Sequence, residues 1–175
     1  MKNSRIAVLL CLFTFVAGSL SAGKLLSGQT ERERLRAIKP VIVCSEIIKE
    51  PAAVLSAHAS TLVETDNGLL AAWFGGTYER HPDVCIYTSE WKDGKWSDPV
   101  MAADGIQNDS LRYPCWNPVL FKRENGDLIL YFKVGPSPST WWGEYKISTD
   151  EGKTWSASRA IPRGCLGPVK NKPVI

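Results

Sequence analysis

The sequence lacks a strong excess of charge of either sign, and it lacks an apolar run long enough to cross a membrane. Its 175 residues carry 21 Lys and Arg against 18 Asp and Glu, a formal charge of +3. That balance excludes a nucleic-acid binder that depends on a large positive field. The N-terminal apolar run, Ile6 to Val16, has eleven residues, whereas a membrane-spanning helix needs about 20. We therefore expect no nucleic-acid partner and no membrane span.

The sequence also lacks the spacings of a zinc site, because it has no Cys-x-x-Cys pair and no cluster of His and Cys. We expect neither a metal nor a cofactor. Cys11 lies in the apolar run, and the other four cysteines, Cys44, Cys85, Cys115 and Cys165, admit three disulfide pairings among which the sequence does not choose. At least two of them are expected to be buried as small apolar side chains.

The N-terminus has the three parts of a secretory signal peptide. Lys2 and Arg5 precede the apolar run, and small residues from Gly18 to Gly23 follow it. We predict a signal peptide over residues 1–22, cleaved near residues 21–23, and a mature protein that is secreted or periplasmic. The alternative, a membrane anchor, is disfavoured by the shortness of the run.

The rest of the chain repeats itself at an offset of 58 residues. The segment Ser60 to Phe74 aligns with Pro118 to Phe132, so that the turn pairs Asn67-Gly68 and Asn125-Gly126 coincide. Both pairs are strong hairpin signals. Each copy reads as four short strands rich in β-branched, aliphatic and aromatic residues. They are predicted at about 58–65, 69–75, 83–89 and 96–102, and at about 116–123, 127–134, 143–149 and 155–161.

A four-stranded antiparallel unit that repeats in this way predicts an all-β fold, a β-propeller in which each copy is a blade. Residues 50–175 then form a partial propeller, with blade 1 at about 58–102, blade 2 at about 116–161 and blade 3 beginning at about 171. A β-sandwich is the alternative, although it does not require repetition. Two blades alone leave sheet edges unpaired, so we expect the chain by itself to be marginally stable or aggregation-prone.

Residues 23–49 are an N-terminal segment with a possible outer strand, and Thr30 to Ile38 is its one plausible short helix. Within the blades, the connections at one end of the strands are short turns. Those at the other end are long and polar, at about 75–82, 104–115, 134–142 and 164–171. We call this end the long-loop face and predict a binding site there, because function concentrates on long loops held by a rigid scaffold.

Side chains on the long-loop face suit a sugar with a carboxylate. Tryptophan faces suit the C–H faces of sugar rings, and arginine binds a carboxylate through two parallel hydrogen bonds. The alternatives are that one of Trp141 and Trp142 packs between blades and that each cation is a solvated surface charge. The candidate substrate-binding residues are Arg80, His81, Arg112, Tyr113, Trp116, Asn117, Trp141, Trp142, Lys170 and Asn171.

Two residues are candidates for proton transfer. His58 lies at the start of the first inner strand among small residues, in register with Trp116 and Asn171 of the following copies. The alternative is a structural, hydrogen-bonded histidine. Asp83 is a carboxylate on the same face, and its alternative role is to cap the start of its strand.

A family resemblance rests on Ser148 to Trp155, which fits the Asp-box pattern S-x-D-x-G-x-T-W, with a degenerate copy at Tyr87 to Trp96. With the segments 58–61, 72–77 and 113–118, the chain resembles a bacterial secreted branch of the sialidase (neuraminidase, BNR-repeat) superfamily. The resemblance implies a propeller of six blades when complete and exo-acting glycoside hydrolysis, so the chain looks like an N-terminal fragment.

The resemblance also assigns roles and shows a departure. Asp83 is the closest match to the family's acid/base Asp. Sialidases carry the first arginine of a carboxylate clamp where this chain has His58, so the clamp is incomplete. The family's Tyr nucleophile, its Glu partner and the later arginines belong to later blades, and no residue of this chain is assigned to them.

The sequence therefore favours a secreted exo-glycosidase that removes a terminal, acidic sugar from a glycan, active only within a longer chain. One alternative is an enzyme that cleaves next to a uronic acid with His58 as acid/base. Another is a non-catalytic glycan-binding propeller, and a third is a truncated product without activity.

Overall fold

The computed structural model describes Ile42 and residues 45–174. The predicted signal peptide, the short helix at Thr30 to Ile38, Cys11 and Cys44 lie outside the described residues. Residues 47–174 belong to one compact unit. Of a second unit, Ala7–Glu46, only Ile42, Ser45 and Glu46 are described, and all three are exposed. No helix long and apolar enough to span a membrane occurs among the described residues.

The described residues form strands and turns without a helix. In chain order the strands are β1 (Ser56–Thr65), β2 (Gly68–Gly76), β3 (Cys85–Lys92), β4 (Lys95–Trp96), β5 (Val100–Ala103), β6 (Ile106–Asn108), β7 (Leu111–Arg112), β8 (Cys115–Lys122), β9 (Leu128–Val134), β10 (Trp142–Ser148) and β11 (Arg159–Ala160).

Nine of the eleven strands in the described part of the chain pair in two antiparallel sheets that follow the sequence repeat. The first sheet has the order β1-β2-β3-β4, with β5 also paired to β3, and the second sheet has the order β8-β9-β10-β11. The three inner strands of each sheet lie where the repeat predicts them. The all-β prediction is therefore confirmed.

The outermost strand of each sheet is shorter than predicted. The strand expected over 96–102 is broken into β4 and β5, because Pro99 has no N–H to donate to the ladder and the Ser97 hydroxyl bonds the Glu90 N–H at 3.0 Å. The strand expected over 155–161 is reduced to β11.

A hairpin of β6 and β7 occupies part of the predicted loop at 104–115. Its turn is closed by Asn108, whose side-chain oxygen accepts from the Ser110 N–H at 3.0 Å. Such side-chain turns reproduce a backbone turn locally, and they do not show in a hydrophobic pattern.

The core lies between the two sheets and follows from strand alternation. Leu128, Leu130 and Phe132 of β9 are fully buried on the face toward the first sheet, which contributes Phe74 and Ile86. The same face of β2 carries Leu70 and Ala72. Alternate residues of the central strands thus exclude water between the sheets, the main source of stability in such a pair.

The Asp-box closes the turn after β10 through one carboxylate. Asp150 accepts from the Thr154 N–H at 2.9 Å and from the Thr154 hydroxyl at 2.5 Å, and it lies 2.7 Å from the Ser148 hydroxyl. The Ser148 oxygen also accepts from the Gly152 N–H at 2.8 Å. These hydrogen bonds lower the pKa of Asp150 to about 2.

The same turn contacts the first sheet. Gly152 has a φ of +91°, and a Cβ there would lie 2.5 Å from a methyl group of Leu70. Glu151 accepts from the Asp66 N–H at 2.8 Å and also bonds the Asn67 amide. The Asp-box of the second sheet thereby holds the first turn of the first sheet.

We expect Asp150→Asn to lower the free energy of unfolding by about 1–2 kcal/mol at pH 7, since it weakens charge-assisted hydrogen bonds at a partly exposed site. The unfolded-state pKa of an aspartate is about 3.9, so the stabilisation is complete above that value and is lost as the pH falls toward 2. The unfolding free energies of the wild type and of Asp150→Asn should therefore converge as the pH falls. Urea unfolding of these two proteins at pH 7, 5, 4 and 3 measures this convergence.

Asp93→Asn is the matched control, because Asp93 is exposed in the corresponding turn of the first sheet. It is expected to change stability by less than about 0.5 kcal/mol. Equal effects of the two substitutions would contradict a special role for the Asp-box carboxylate.

Candidate functional site

The first strand of each sheet carries a β-bulge at the same place in the repeat. The pairing register shifts between His58 and Thr61 in β1, and between Trp116 and Val119 in β8. The residue that follows the start of each shift has a positive φ: it is +52° at Ala59 and +42° at Asn117. Asparagine tolerates this conformation, whereas alanine is strained in it. Strained bulges commonly re-aim side chains beside functional sites.

His58 is the side chain that the first bulge presents on the long-loop face. It is exposed, its Nε2 lies 3.1 Å from the Ser56 hydroxyl, and its ring stacks on Phe74 with centroids 5.7 Å apart. Phe74 in turn contacts Trp116 at 6.0 Å, and Trp116 contacts Trp141 at 5.8 Å. We call His58, Phe74, Trp116 and Trp141 the aromatic row. It connects the exposed histidine to the core at the long-loop end of both sheets.

Trp116 cannot be a sugar platform in this structure, and that prediction is wrong. The side chain is 1% exposed and its indole N–H donates to the Gly135 carbonyl at 2.8 Å. The bulge turns this side chain into the contact between the two sheets, where it meets Phe74.

Trp141, Trp142 and Tyr113 are partly buried and pack against the core. Tyr113 meets Trp142 edge to face at 5.7 Å, and the Trp142 indole N–H donates to Glu144 at 2.8 Å. The Trp141 indole N–H is buried and has no acceptor within the described residues. These three residues keep part of their surface available on the long-loop face.

Asp83 organises the loop between β2 and β3. Its carboxylate accepts from the Thr77 N–H at 3.0 Å and the Thr77 hydroxyl at 2.5 Å, and it lies 2.8 Å from Nδ1 of His81. Burial alone raises the pKa of Asp83, but the bonds from Thr77 and His81 outweigh it and the pKa lies below its ordinary value. A carboxylate held by so many donors is suited to capping the strand rather than to carrying a proton.

Arg112 lies beside this loop. Its guanidinium donates to the Asp83 carbonyl at 3.3 Å and to Sγ of Cys85 at 2.8 Å, while its Nε is buried without an acceptor. Within the described residues it makes no ion pair with a carboxylate. The starts of β1 and β3 lie about 10 Å apart, two strand spacings, so His58 and Arg112 flank one region of the long-loop face.

The remaining candidates are peripheral. Arg80, with a φ of +80°, is exposed on the loop after β2, and Lys170 and Asn171 are exposed near the end of the described chain. The structure does not bring these three into contact with His58 or Arg112. Asn117 contributes the positive φ of its backbone to the second bulge.

Lys133 is buried in the centre of the second sheet. It is 0% exposed, and its ammonium donates to the Pro168 carbonyl at 2.6 Å. Burial lowers the pKa of Lys133 to about 8. The bond fastens the segment that carries Lys170 and Asn171, and Lys172 of that segment reaches the Leu62 carbonyl of β1.

The thiols of Cys85, Cys115 and Cys165 are free in the structure. The first two are buried, as expected of small apolar side chains, and burial raises the pKa of both. No group of three His, Cys, Asp or Glu side chains that could hold a metal ion occurs among the described residues.

A family model described as "BNR repeat-like domain" matches residues 67–175, more than half of the chain. The chain belongs to the BNR repeat-like family. A search of curated proteins finds no match.

Two solved structures resemble the BNR repeat-like chain. A Hadza microbial sialidase superposes with a TM-score of 0.55 at 16% identity, over 62% of this chain and 26% of that one. A protein of unknown function from Dyadobacter fermentans superposes with a TM-score of 0.51 at 17% identity, over 66% and 38%. The chain therefore spans about a quarter and about two fifths of these proteins. The likeness shows the β-propeller fold of sialidases.

We expect Ala59→Gly to raise the free energy of unfolding by about 1 kcal/mol, since glycine relieves the positive φ at an exposed site without loss of packing. Ala57→Gly, in the same strand but buried at ordinary backbone angles, is the matched control and is expected to lower it by about 1 kcal/mol or more. Chemical denaturation of both variants checks that the two changes in unfolding free energy have opposite signs. A loss of stability in Ala59→Gly would contradict backbone strain at Ala59.

We expect the wild-type protein to gain stability relative to Lys133→Met as the pH rises from 8 to 10. The folded-state pKa of Lys133 is about 8 and the unfolded value is about 10.4, so the unfolded state binds more protons over this interval. The difference in unfolding free energy is expected to change by up to about 1 kcal/mol per pH unit. Lys92→Met, at an exposed lysine, is the matched control for the replacement of lysine by methionine.

Proposed function

We propose that the full-length protein, acting outside the cytoplasm, is an exo-glycosidase that removes a terminal acidic sugar from a glycan. One observation carries this proposal: Arg112, half-buried beside the Asp83 loop, makes no ion pair with a carboxylate within the described residues. An arginine guanidinium binds a carboxylate through two parallel hydrogen bonds, and the carboxylate of an acidic sugar fits this role.

His58 is the better candidate for proton transfer. It is exposed on a strained bulge, and its one hydrogen bond among the described residues is to the Ser56 hydroxyl, whereas Asp83 is occupied by Thr77 and His81. In this assignment Arg112 orients the sugar carboxylate, and Asp83 holds the loop against which Arg112 rests.

A second candidate function follows from the same observation. If Asp83 only supports the loop, His58 is the remaining acid/base group. A single arginine can bind the carboxylate of a uronic acid as well as that of a sialic acid, so cleavage next to a uronic acid is the second candidate. A non-catalytic glycan-binding propeller remains the third reading, distinguished by binding without turnover.

The test uses the full reading frame and three substrates: an aryl sialoside, a glycan capped with a uronic acid and its neutral counterpart. Turnover of the sialoside supports sialidase specificity. Cleavage of only the glycan capped with a uronic acid supports the second candidate function instead of sialidase specificity. Binding of a capped glycan without turnover of any substrate contradicts an enzyme.

We expect His58→Ala to lower kcat by about 10²–10⁴, the usual contribution of a general acid or base, with an unchanged melting temperature because the side chain is exposed. Added imidazole is expected to restore part of the rate. Asp83→Asn is expected to lower the melting temperature by several degrees, since it weakens the bonds to Thr77 and His81. Near wild-type kcat in His58→Ala would overturn the assignment of His58.

A further inference from the structure

A cleft of about 390 Å³ lies between the outer strands of the two sheets, and none of its lining residues belongs to the aromatic row. One wall comes from β5 and β6 and the other from β10 and β11. Both walls belong to the described part of this chain, so the cleft does not depend on any further blade.

The charged groups of the cleft are held in place by bonds that leave part of each group available. Glu144 accepts from the Trp142 indole N–H through Oε1 at 2.8 Å. Lys146 donates to the Ala102 carbonyl across the cleft at 2.8 Å. Asp104 accepts from the Ile106 N–H at 3.2 Å. Each side chain is therefore oriented in advance, which lowers the cost of binding a ligand.

The lining of the cleft is mostly polar, and two large apolar side chains add to it. Met101 and Ile106 line the cleft and are 52% and 56% exposed. A sugar ring matches this mixture, because one face of the ring presents C–H groups and its edge presents hydroxyls.

The charge of the cleft selects among sugars. Glu144 and Asp104 supply two carboxylates against the single ammonium of Lys146, which already donates to Ala102. Acceptors are thus in excess, which favours hydroxyl donors and disfavours a sugar that carries its own carboxylate. Gln107 and Ser158 complete the lining with groups that both donate and accept.

We propose that this cleft is a second glycan-binding site, one that takes a neutral, hydroxyl-rich sugar ring. Its lining includes neither His58 nor Arg112, although Ile106 pairs with Arg112 in the β6–β7 hairpin, and its role is to hold a neutral part of a glycan. The proposal goes beyond the proposed function and does not require catalysis.

The test follows the Trp142 indole N–H of the full chain by ¹H–¹⁵N NMR, assigned with Trp142→Phe, during titration with neutral tetrasaccharides of gluco, galacto, manno and xylo configuration. At least one of them is expected to shift this signal saturably below about 10 mM. Its C6-oxidised counterpart, or for the xylo compound a counterpart capped by a uronic acid, is expected to bind at least tenfold more weakly.

Glu144→Gln keeps an acceptor for Trp142 and is expected to weaken neutral-sugar binding about tenfold, the loss of one charge-assisted hydrogen bond. Glu124→Gln, at an exposed turn residue remote from the cleft, controls for the change of charge and is expected to bind as the wild type.

The proposal is overturned if no neutral tetrasaccharide shifts the signal, if the acidic counterparts bind equally well, or if Glu144→Gln binds as the wild type. Arg112→Gln separates the two sites, since it is expected to impair any action on acidic sugars while leaving the Trp142 shift in place. Loss of the Trp142 shift in Arg112→Gln, in a variant that still folds, also overturns it.

Discussion

The contact between Phe74 and Trp116, 6.0 Å between ring centroids, is the interaction on which the arrangement of the site depends. Each ring lies at the long-loop end of its sheet, and their contact positions β1 and β8, the first strands of the two sheets, relative to each other. On one side Phe74 supports the exposed ring of His58, and on the other Trp116 supports Trp141. A change in the packing of the sheets would therefore move the histidine relative to the donors of Arg112 and Trp141.

Most of the fold could be predicted from the sequence because the information is local and repeated. The Asn-Gly pairs locate the turns, the alternation of Leu128, Leu130 and Phe132 gives the buried face, and the 58-residue offset shows that one unit occurs twice. The outer strands were harder to predict, since their ends depend on single residues such as Pro99 that interrupt the ladder.

The site was only partly predictable, because composition shows which residues are present but not where a bulge turns them. His58 and Trp116 occupy equivalent positions of the repeat, yet one is exposed and the other is buried. The difference arises from what packs against each bulge, which is a tertiary property. The alignment of Ala59 with Asn117 was the one available signal of the bulges. The outer cleft left no signal, since Glu144 and Asp104 are far apart in sequence.

The repeated bulge separates scaffold from chemistry within each unit of the propeller. The bulge occurs at the same place of the repeat in both copies, while the residue that begins it differs: His58 in one copy and Trp116 in the next. The same backbone feature thus presents an exposed histidine in one sheet and a buried tryptophan in the other.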